Sequence, residues 1–271
     1  MKTLKKSLVL VLSLMMVIGV MTIAAGATYT DDAELASDFK ESTGVLTGLG
    51  IVEGNGDGTV TPKAPITRAE FAKILYEAVT GKEYTAANLY AGLGTFGDVS
   101  ADEWYAGVVN YAAYKGWILG YDDGNFGPND NVLGADAITM ILRAIGYGAY
   151  GELSDGDTYV LNAITEADEN SMLVNTADVD YTVVATREQC FEWLYRAMLV
   201  PTYVKVPIFN TYEDGDILIS DVHGMTTDVD TALYVVTAVP ESDSSLINDA
   251  DKDNIEYSFK ARTFDGTEVG S

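Results

Sequence analysis

Two arginines stand at the predicted starts of helices, a position where they could bind an anion. Arg68 follows Thr67 and Arg187 follows Thr186, and each threonine is a predicted N-cap residue. The first turn of a helix carries partial positive charge, which disfavours a cation there by about 0.3–1 kcal/mol. A carboxylate ligand would reverse this preference, because the guanidinium group and free helix N–H groups could both donate to it. The alternative is that each arginine pairs with one of the chain's 41 acidic residues.

The side chains most used in catalysis are scarce. Cys190 is the single cysteine and excludes an intrachain disulfide, and its place on an apolar helical stripe favours burial over nucleophilic chemistry. His223 is the single histidine and lies in the predicted tail with no partner cysteine, which disfavours a Cys–His catalytic pair. The sequence has no recognisable metal motif, nucleophile elbow or phosphate-binding loop. We therefore predict no enzyme activity, no cofactor and no metal site.

The elements that position the two arginines recur three times, as a helix, a loop and a second helix. The second helix of each unit has apolar residues at i, i+3, i+4 and i+7. These residues are Phe71, Ile74, Leu75 and Ala78, then Ile138, Ile141, Leu142 and Ile145, then Cys190, Trp193, Leu194 and Ala197. A hairpin of this size buries too little apolar surface to be stable alone, so the units should share one core.

The first helices have a less regular apolar pattern. The residues expected to face the core are Leu35, Phe39, Leu46 and Leu49, then Trp104, Val108, Tyr111 and Ala112, then Leu161, Ile164 and Ala167. Trp104 heads its stripe, which favours a core position over a ligand-binding surface.

The loops of units one and two contain Asp57-Gly58 and Asp123-Gly124, which predict turns with positive φ at the glycines. Val60 and Phe126 follow these turns and should point back into the core. Unit three has no recognisable Asp-Gly loop.

The second helices of units one and three begin with capping-box spacing, which is Thr67 with Glu70 and Thr186 with Gln189. Unit two has Gly134 and Ala137 in place of such a pair, so it should lack the box.

Together these motifs resemble the S-layer homology family. Unit two carries Phe96-Gly97-Asp98-Val99, Trp104 and the stretch from Gly120-Tyr121 to Gly127-Pro128. Unit one carries Ile66-Thr67-Arg68-Ala69-Glu70-Phe71-Ala72, and the degenerate unit three keeps Thr186-Arg187-Glu188-Gln189. The Phe-x-Asp-Val start is missing from units one and three. The resemblance covers about residues 30 to 200.

The resemblance implies a mainly α fold, with three helical hairpin repeats in a pseudo-threefold spindle. It also implies binding of secondary cell-wall polysaccharide, or of a glycan linked to peptidoglycan, in grooves between the repeats. In this family an arginine meets the carboxylate of a pyruvate ketal on an amino sugar, and this role carries over to Arg68 and Arg187. Ala135 stands in the arginine's place in unit two, which puts one groove in doubt.

Four further residues complete the predicted polysaccharide site. Trp117 and Tyr121 could offer an aromatic face to a sugar ring or to the ketal methyl group. Glu70 and Asp98 belong to the family motifs, although capping of the helix is the favoured role for Glu70.

The N-terminus has the pattern of a secretory signal peptide, with three lysines, an apolar run from Leu8 to Ile23 and Ala25-Gly26-Ala27. The apolar run is shorter than the roughly 20 residues of a membrane-spanning helix, so the mature chain should lack a transmembrane segment and be secreted to the cell wall or S-layer. Loss of the three lysines changes the formal charge from −25 to −28, which argues against nucleic acid as a partner. An uncleaved N-terminal anchor is the alternative.

From Pro201 the pattern changes to short β-prone runs at 203–209, 216–222, 232–239 and 255–264. The stretch from Asp249 to Asn254 resembles the opening of a calcium loop, but Asn254 and Lys260 replace the glycine and glutamate that an EF-hand requires. A solvated acidic loop is the favoured interpretation.

We divide the chain into a signal peptide (1–27), unit one (28–90), unit two (91–150), a degenerate unit three (151–200) and a β-rich tail (201–271), which could be an incomplete domain.

The predicted function is non-covalent anchoring of a secreted surface protein to the wall. Two alternatives remain open at this point. One is an S-layer lattice subunit whose tail mediates self-association, and the other is the anchoring fragment of a longer glycan-active enzyme.

Overall fold

The computed structural model describes residues 29–148, 153, 158–206 and 211–224, together with the backbone of five short strands between 234 and 269. The predicted signal peptide and the acidic loop at 249–254 lie outside the described residues. The described part is mainly helical. Its α-helices are α1 (Lys40–Gly48), α2 (Arg68–Thr80), α3 (Ala106–Tyr114), α4 (Gly134–Ala144), α5 (Tyr159–Glu169) and α6 (Arg187–Met198). Shorter 3₁₀ segments cover Asp32–Glu34, Ser37–Phe39 and Tyr84–Leu93.

The second helix of each unit, α2, α4 or α6, buries its whole predicted apolar stripe. Every one of the twelve residues is at most 6% exposed, and all belong to a single cluster of buried side chains. Cys190 is fully buried, and burial raises the pKa of its thiol above the usual range. The prediction of a shared core, with Cys190 as a structural residue, is therefore confirmed.

Two predictions for the first helices are wrong. Trp104 is 45% exposed, because α3 begins only at Ala106 and buries Ala106, Val108, Val109 and Ala112 instead. The Trp104 ring lies edge-on against Tyr84 and Tyr105, with centroid distances of 5.9 and 5.4 Å. Leu161 is 68% exposed, because α5 turns only its small residues Ala163 and Ala167 fully into the core.

The β-rich region begins where the sequence predicts, with an antiparallel hairpin of β1 (Pro201–Val206) and β2 (Thr211–Ile217). The predicted strand at 216–222 is mostly a π-helical turn, Leu218–Val222. Leu218 and Ile219 are both buried in the helical core, whereas a strand would turn adjacent side chains to opposite faces. The remaining strands are β3 (Tyr234–Ala238), β4 (Ile247–Asn248), β5 (Glu256–Tyr257), β6 (Lys260–Thr263) and β7 (Glu268–Val269).

Within the parts of the chain that the structure describes, no helix combines the length and apolar character needed to span a bilayer.

The π-helical turn is held against α2 by His223, whose Nε2 lies 2.7 Å from the carbonyl oxygen of Ala78. Burial lowers the pKa of His223 below its ordinary value of 6.5. His223 therefore binds a proton more readily in the unfolded chain than in the folded chain. The contribution of His223 to folding stability is complete above pH 6.5 and is lost as the pH falls below that value. We expect the urea midpoint to decrease between pH 7.5 and pH 5.

The matched variant for this prediction is His223→Gln, whose amide can still donate to Ala78 but does not titrate. It should have a flatter dependence of the urea midpoint on pH than the parent over the same range. Identical slopes for the two proteins would show that His223 does not contribute to the dependence.

Candidate ligand-binding site

The helix starts that carry the two arginines are built as predicted. In α2 the Thr67 hydroxyl accepts from the Glu70 N–H, and the Glu70 carboxylate accepts from the Thr67 N–H. Thr186 and Gln189 form the same capping box at α6. Both boxes fix the position of the arginine that follows the N-cap.

At α4 the predicted alignment is wrong by one residue. The N-cap is Leu133, which makes no side-chain cap, so Gly134 rather than Ala135 stands where the other units have arginine. Asp136 accordingly occupies the place of Glu70. The shift arises because no hydroxyl residue marks the start of this helix in the sequence.

The N–H groups that we expected to be free for a ligand are already bound by loop carbonyl oxygens from another unit. The unit-two loop caps α2, the unit-three loop caps α4, and the unit-one loop caps α6. The bonds run from Arg68 to Asp130, Ala69 to Pro128, Gly134 to Val183, Ala135 to Tyr181, Arg187 to Ala64 and Glu188 to Pro62, with N···O distances of 2.7 to 3.1 Å. The expected donation by helix N–H groups is therefore wrong for these six groups.

Three isolated β-bridges accompany these caps. They pair Thr67 with Asn131, Leu133 with Val184, and Thr186 with Pro65. Each bridge joins the N-cap of one unit to the residue two positions before the N-cap of another. The residues between these positions, Ile66, Val132 and Ala185, are at most 2% exposed.

Arg68 is held inside the protein and is only 5% exposed. Its Nε donates to the carbonyl oxygen of Phe126 (2.9 Å), and its Nη2 donates to that of Leu119 (3.1 Å). Its Nη1 lies 3.6 Å from the carboxylate of Asp136. The guanidinium group also lies 4.9 Å from the ring centre of Tyr121. Arg68 thus joins α2 to the loop and second helix of unit two.

Arg187 is half-buried and has fewer partners. Its Nε donates to the carbonyl oxygen of Val60 (2.8 Å), as Arg68 does to Phe126, and its guanidinium carbon lies 5.5 Å from the Phe191 ring centre. Its terminal nitrogens make no hydrogen bond or ion pair with any residue that the structure describes. Arg187, rather than Arg68, is therefore the arginine with donors available to a ligand.

One loop position explains the difference between the two arginines. Tyr121, two residues before Asp123, covers Arg68, and its hydroxyl donates to Asp130 (3.1 Å). Asn55, two residues before Asp57, holds the equivalent position in the unit-one loop. The Asn55 amide donates instead to hydroxyl groups within its own loop, and it has no aromatic ring to lie over a guanidinium group.

The other predicted site residues have separate positions. Tyr121 is 44% exposed, and the Glu70 carboxylate is engaged in the capping box. Asp98 accepts from the N–H groups of Phe126 and Gly127, both at 2.8 Å, and so braces the unit-two loop. Trp117 is only 7% exposed and packs edge-on against Tyr111, so it does not present a face on which a sugar could stack.

Unit one has a counterpart of Asp98 that the sequence analysis missed. Asp31 accepts from the N–H groups of Val60 and Thr61 at 2.9 and 2.7 Å. Tyr29 packs on Gly54 as Phe96 packs on Gly120, since a Cβ at either glycine would meet the ring within 2.6 Å. The sequence does contain a signal for this role, which is the spacing of the aspartates. Asp31 stands 29 residues before Val60, and Asp98 stands 28 residues before Phe126.

Unit three has the same turn as the other units without its glycine. Asp180 accepts from the N–H of Thr182 at 2.9 Å, as Asp57 does from Thr59 and Asp123 from Asn125. The spacing from Asp180 to Arg187 is four residues shorter than that from Asp57 to Arg68, which hid the correspondence in the sequence.

In the described residues the fold is mainly helical, loop carbonyl oxygens cap the first turns of α2, α4 and α6, and the half-buried Arg187 lies at one of these caps. Residues 44–72 and 95–138 match the S-layer homology domain. Over these residues the chain belongs to the S-layer homology domain family.

Known relatives are similar to about half of the chain. The chain is 36% identical over 140 residues to a "Middle cell wall protein" of Brevibacillus brevis. This match covers 51% of the chain and 13% of the relative. It is 36% identical over 147 residues to a "Surface layer protein" of Brevibacillus choshinensis, covering 54% and 13%. It is 32% identical over 133 residues to an "Amylopullulanase" of Thermoanaerobacterium thermosulfurigenes, covering 49% and 6%. The match thus spans about an eighth of the first two relatives and less of the third.

Proposed function

We infer that the chain anchors a secreted protein to the bacterial cell wall by binding an acidic secondary cell-wall polysaccharide. The S-layer homology match and the relatives named as cell-wall and surface-layer proteins support attachment to the wall. The polysaccharide, and a pyruvate ketal on it, come from the family resemblance. The observation that carries the proposal here is the half-buried Arg187, whose terminal donors have no partner among the described residues.

The three units form a pseudo-threefold body in this proposal. Its support is the closed cycle of loop caps and β-bridges, in which unit two contacts one, three contacts two, and one contacts three. Such a body has one junction per pair of units, and each junction is a candidate groove.

The junction between units three and one is the principal binding groove. A carboxylate there can accept two parallel hydrogen bonds from the Nη1 and Nη2 groups of Arg187. Tyr29 packs on Gly54 of the loop whose Val60 carbonyl oxygen accepts from Arg187. Its ring would give the apolar side of the ligand a neighbour beside the cation.

The other two junctions are less suited to an anion. At the junction of units one and two, Tyr121 must move before a ligand can reach Arg68, and Asp136 already lies beside that guanidinium. At the junction of units two and three, Gly134 stands where the other units have arginine, and a Cβ there would meet Tyr181 and Trp193 within 3.3 Å. One groove is therefore open, one is covered and one is filled.

The experiment is sedimentation of the chain from residue 28 onward with purified wall sacculi. Arg187→Ala should weaken retention by at least about tenfold, the size of one charge-assisted contact of roughly 1.4 kcal/mol. Arg187→Lys should be retained better than Arg187→Ala but less well than the parent, because an ammonium group cannot donate two parallel hydrogen bonds to a carboxylate.

The control is Lys82→Ala, which removes one positive charge at an exposed position. Circular dichroism and urea unfolding should show that the Arg187 variants are folded. Retention of folded Arg187→Ala equal to that of the parent would contradict this assignment of the groove.

A second candidate function is suggested by the relatives. The match to the amylopullulanase covers 6% of that protein's length, so the chain could serve as the anchor of a larger glycan-active protein. The surface-layer relative supports the other alternative, a lattice subunit. Electron microscopy of the purified chain distinguishes them, because a lattice subunit should form ordered sheets and an anchor should remain dispersed.

A further inference from the structure

A cavity of about 370 Å³ lies between the end of α4, the start of the unit-two loop and the β1–β2 hairpin. Its walls include Leu119, Arg143, Tyr147, Tyr203, Lys205 and Tyr212. The cavity is separate from the Arg187 groove. It borders the covered junction, because the carbonyl oxygen of Leu119 accepts from Arg68.

The hairpin that forms one wall is held tightly against the end of α4. The N–H of Tyr203 donates to the carbonyl oxygen of Ile145 at 2.7 Å. Gly146 adopts a φ of 94°, and a Cβ there would stand 1.9 Å from the Tyr203 carbonyl oxygen. Only glycine permits this approach, so the position of the wall is determined by the sequence.

Three tyrosine rings are stacked along the cavity. The ring centres of Tyr147 and Tyr203 are 5.4 Å apart, and those of Tyr203 and Tyr212 are 5.1 Å apart with an angle of only 11° between the rings. The Tyr147 hydroxyl donates to Asn170 at 3.0 Å, which fixes the end of the stack. Flat rings with polar edges suit a ligand that has both apolar C–H faces and hydroxyl groups.

Two cationic side chains lie on the same cavity in a chain that has only 16 basic residues. Lys205 is exposed, lies two residues after Tyr203 on β1, and has no ion pair among the described residues. Arg143 donates to the carbonyl oxygen of Leu153. Burial is the largest cause that raises the pKa of Tyr147, and among the described residues the carboxylates of Glu166 and Asp214 raise it further.

We propose that this cavity binds an acidic sugar residue, with its ring against the tyrosine stack and its carboxylate at Lys205. The volume lies at the lower end of the range for ligand pockets, about 300–1,000 Å³, and suits one or two sugar rings. This inference rests on the proposed function, because the ligand is a further residue of the same wall polysaccharide. The hairpin after residue 200 is then part of the glycan-binding surface and not only a connection to the tail.

The test uses two matched probes, methyl glucuronide and methyl glucoside, which differ in a carboxylate replacing a hydroxymethyl group. Each is titrated into the ¹⁵N-labelled chain from residue 28 onward, and the amide signals of Gly146, Tyr203 and Lys205 are followed. The glucuronide should shift these signals and bind at least about fivefold more tightly than the glucoside. Lys205→Gln should remove this preference, whereas Lys82→Ala, which removes a positive charge at an exposed position outside the cavity, should leave it unchanged.

Each outcome bears on the proposal. Equal affinities for the two probes, an unchanged preference in Lys205→Gln, or no shift at these three amides would overturn it. Failure of the chain to sediment with sacculi, together with retained glucuronide binding at these amides, would reject the proposed function and keep the cavity as a saccharide site. Sedimentation with sacculi without glucuronide binding would keep the anchor and reject the cavity.

Discussion

Replacing Arg68 by alanine should lower the free energy of unfolding by about 3–5 kcal/mol, the cost of removing one partner from a buried ionic network. The change leaves the carbonyl oxygens of Phe126 and Leu119 without their donor and leaves Asp136 without its cation. It also removes a contact between two units, so the cooperativity of unfolding should decrease with it. Urea unfolding followed by tryptophan fluorescence measures both quantities.

Arg187→Ala is the matched comparison, because it removes the same residue type from the equivalent helix position. Its half-buried side chain makes one hydrogen bond, to Val60, so we expect a loss of only about 1–2 kcal/mol. A double-mutant cycle of Arg68→Ala with Asp136→Ala should show coupling between the two sites. Equal losses for the two arginine variants would contradict the structural role given to Arg68.

Asp31→Ala and Asp98→Ala should each destabilise the chain by about 1.5–3 kcal/mol, since each carboxylate accepts two backbone N–H groups of a loop. The N–H groups of Val60 and Phe126 lie at buried positions, where loss of a partner is costly. Each loop also supplies the carbonyl oxygen that receives an arginine Nε, so Asp31→Ala should additionally weaken sacculus binding through Arg187. Unfolding and sedimentation are measured on the same samples.

Asp122→Ala is the control, because it removes one negative charge from the exposed part of the unit-two loop. Its stability should match the parent. A loss in Asp98→Ala but not in Asp31→Ala would show that unit one lacks the bracing interaction found in unit two.

The sequence predicted those features that depend on short-range patterns. The stripes of α2, α4 and α6 follow helical periodicity, and the capping boxes at Thr67 and Thr186 depend on residues three positions apart. The turns at Gly58 and Gly124 have the expected positive φ, because Asp-Gly pairs encode them locally. These features placed both arginines at the correct helix position.

The accessibility of those arginines could not be predicted, because it depends on loops that come from other units. Tyr121 lies 53 residues after Arg68 in the sequence, and only the fold brings it over the guanidinium group. Asp31 does not stand in a Phe-x-Asp-Val motif, so the motif could not indicate it, whereas the loop requires only a carboxylate at the right distance. Trp104 was assigned to the core because its stripe was extended past the true start of α3.

The most direct test of the account is whether the chain from residue 28 onward sediments with wall sacculi before and after their secondary polysaccharide is removed by mild acid. We expect the chain to sediment with intact sacculi. Sedimentation should be lost on stripped sacculi, and it should be lost on intact sacculi for the folded Arg187→Ala variant. Equal retention on intact and stripped sacculi would contradict it.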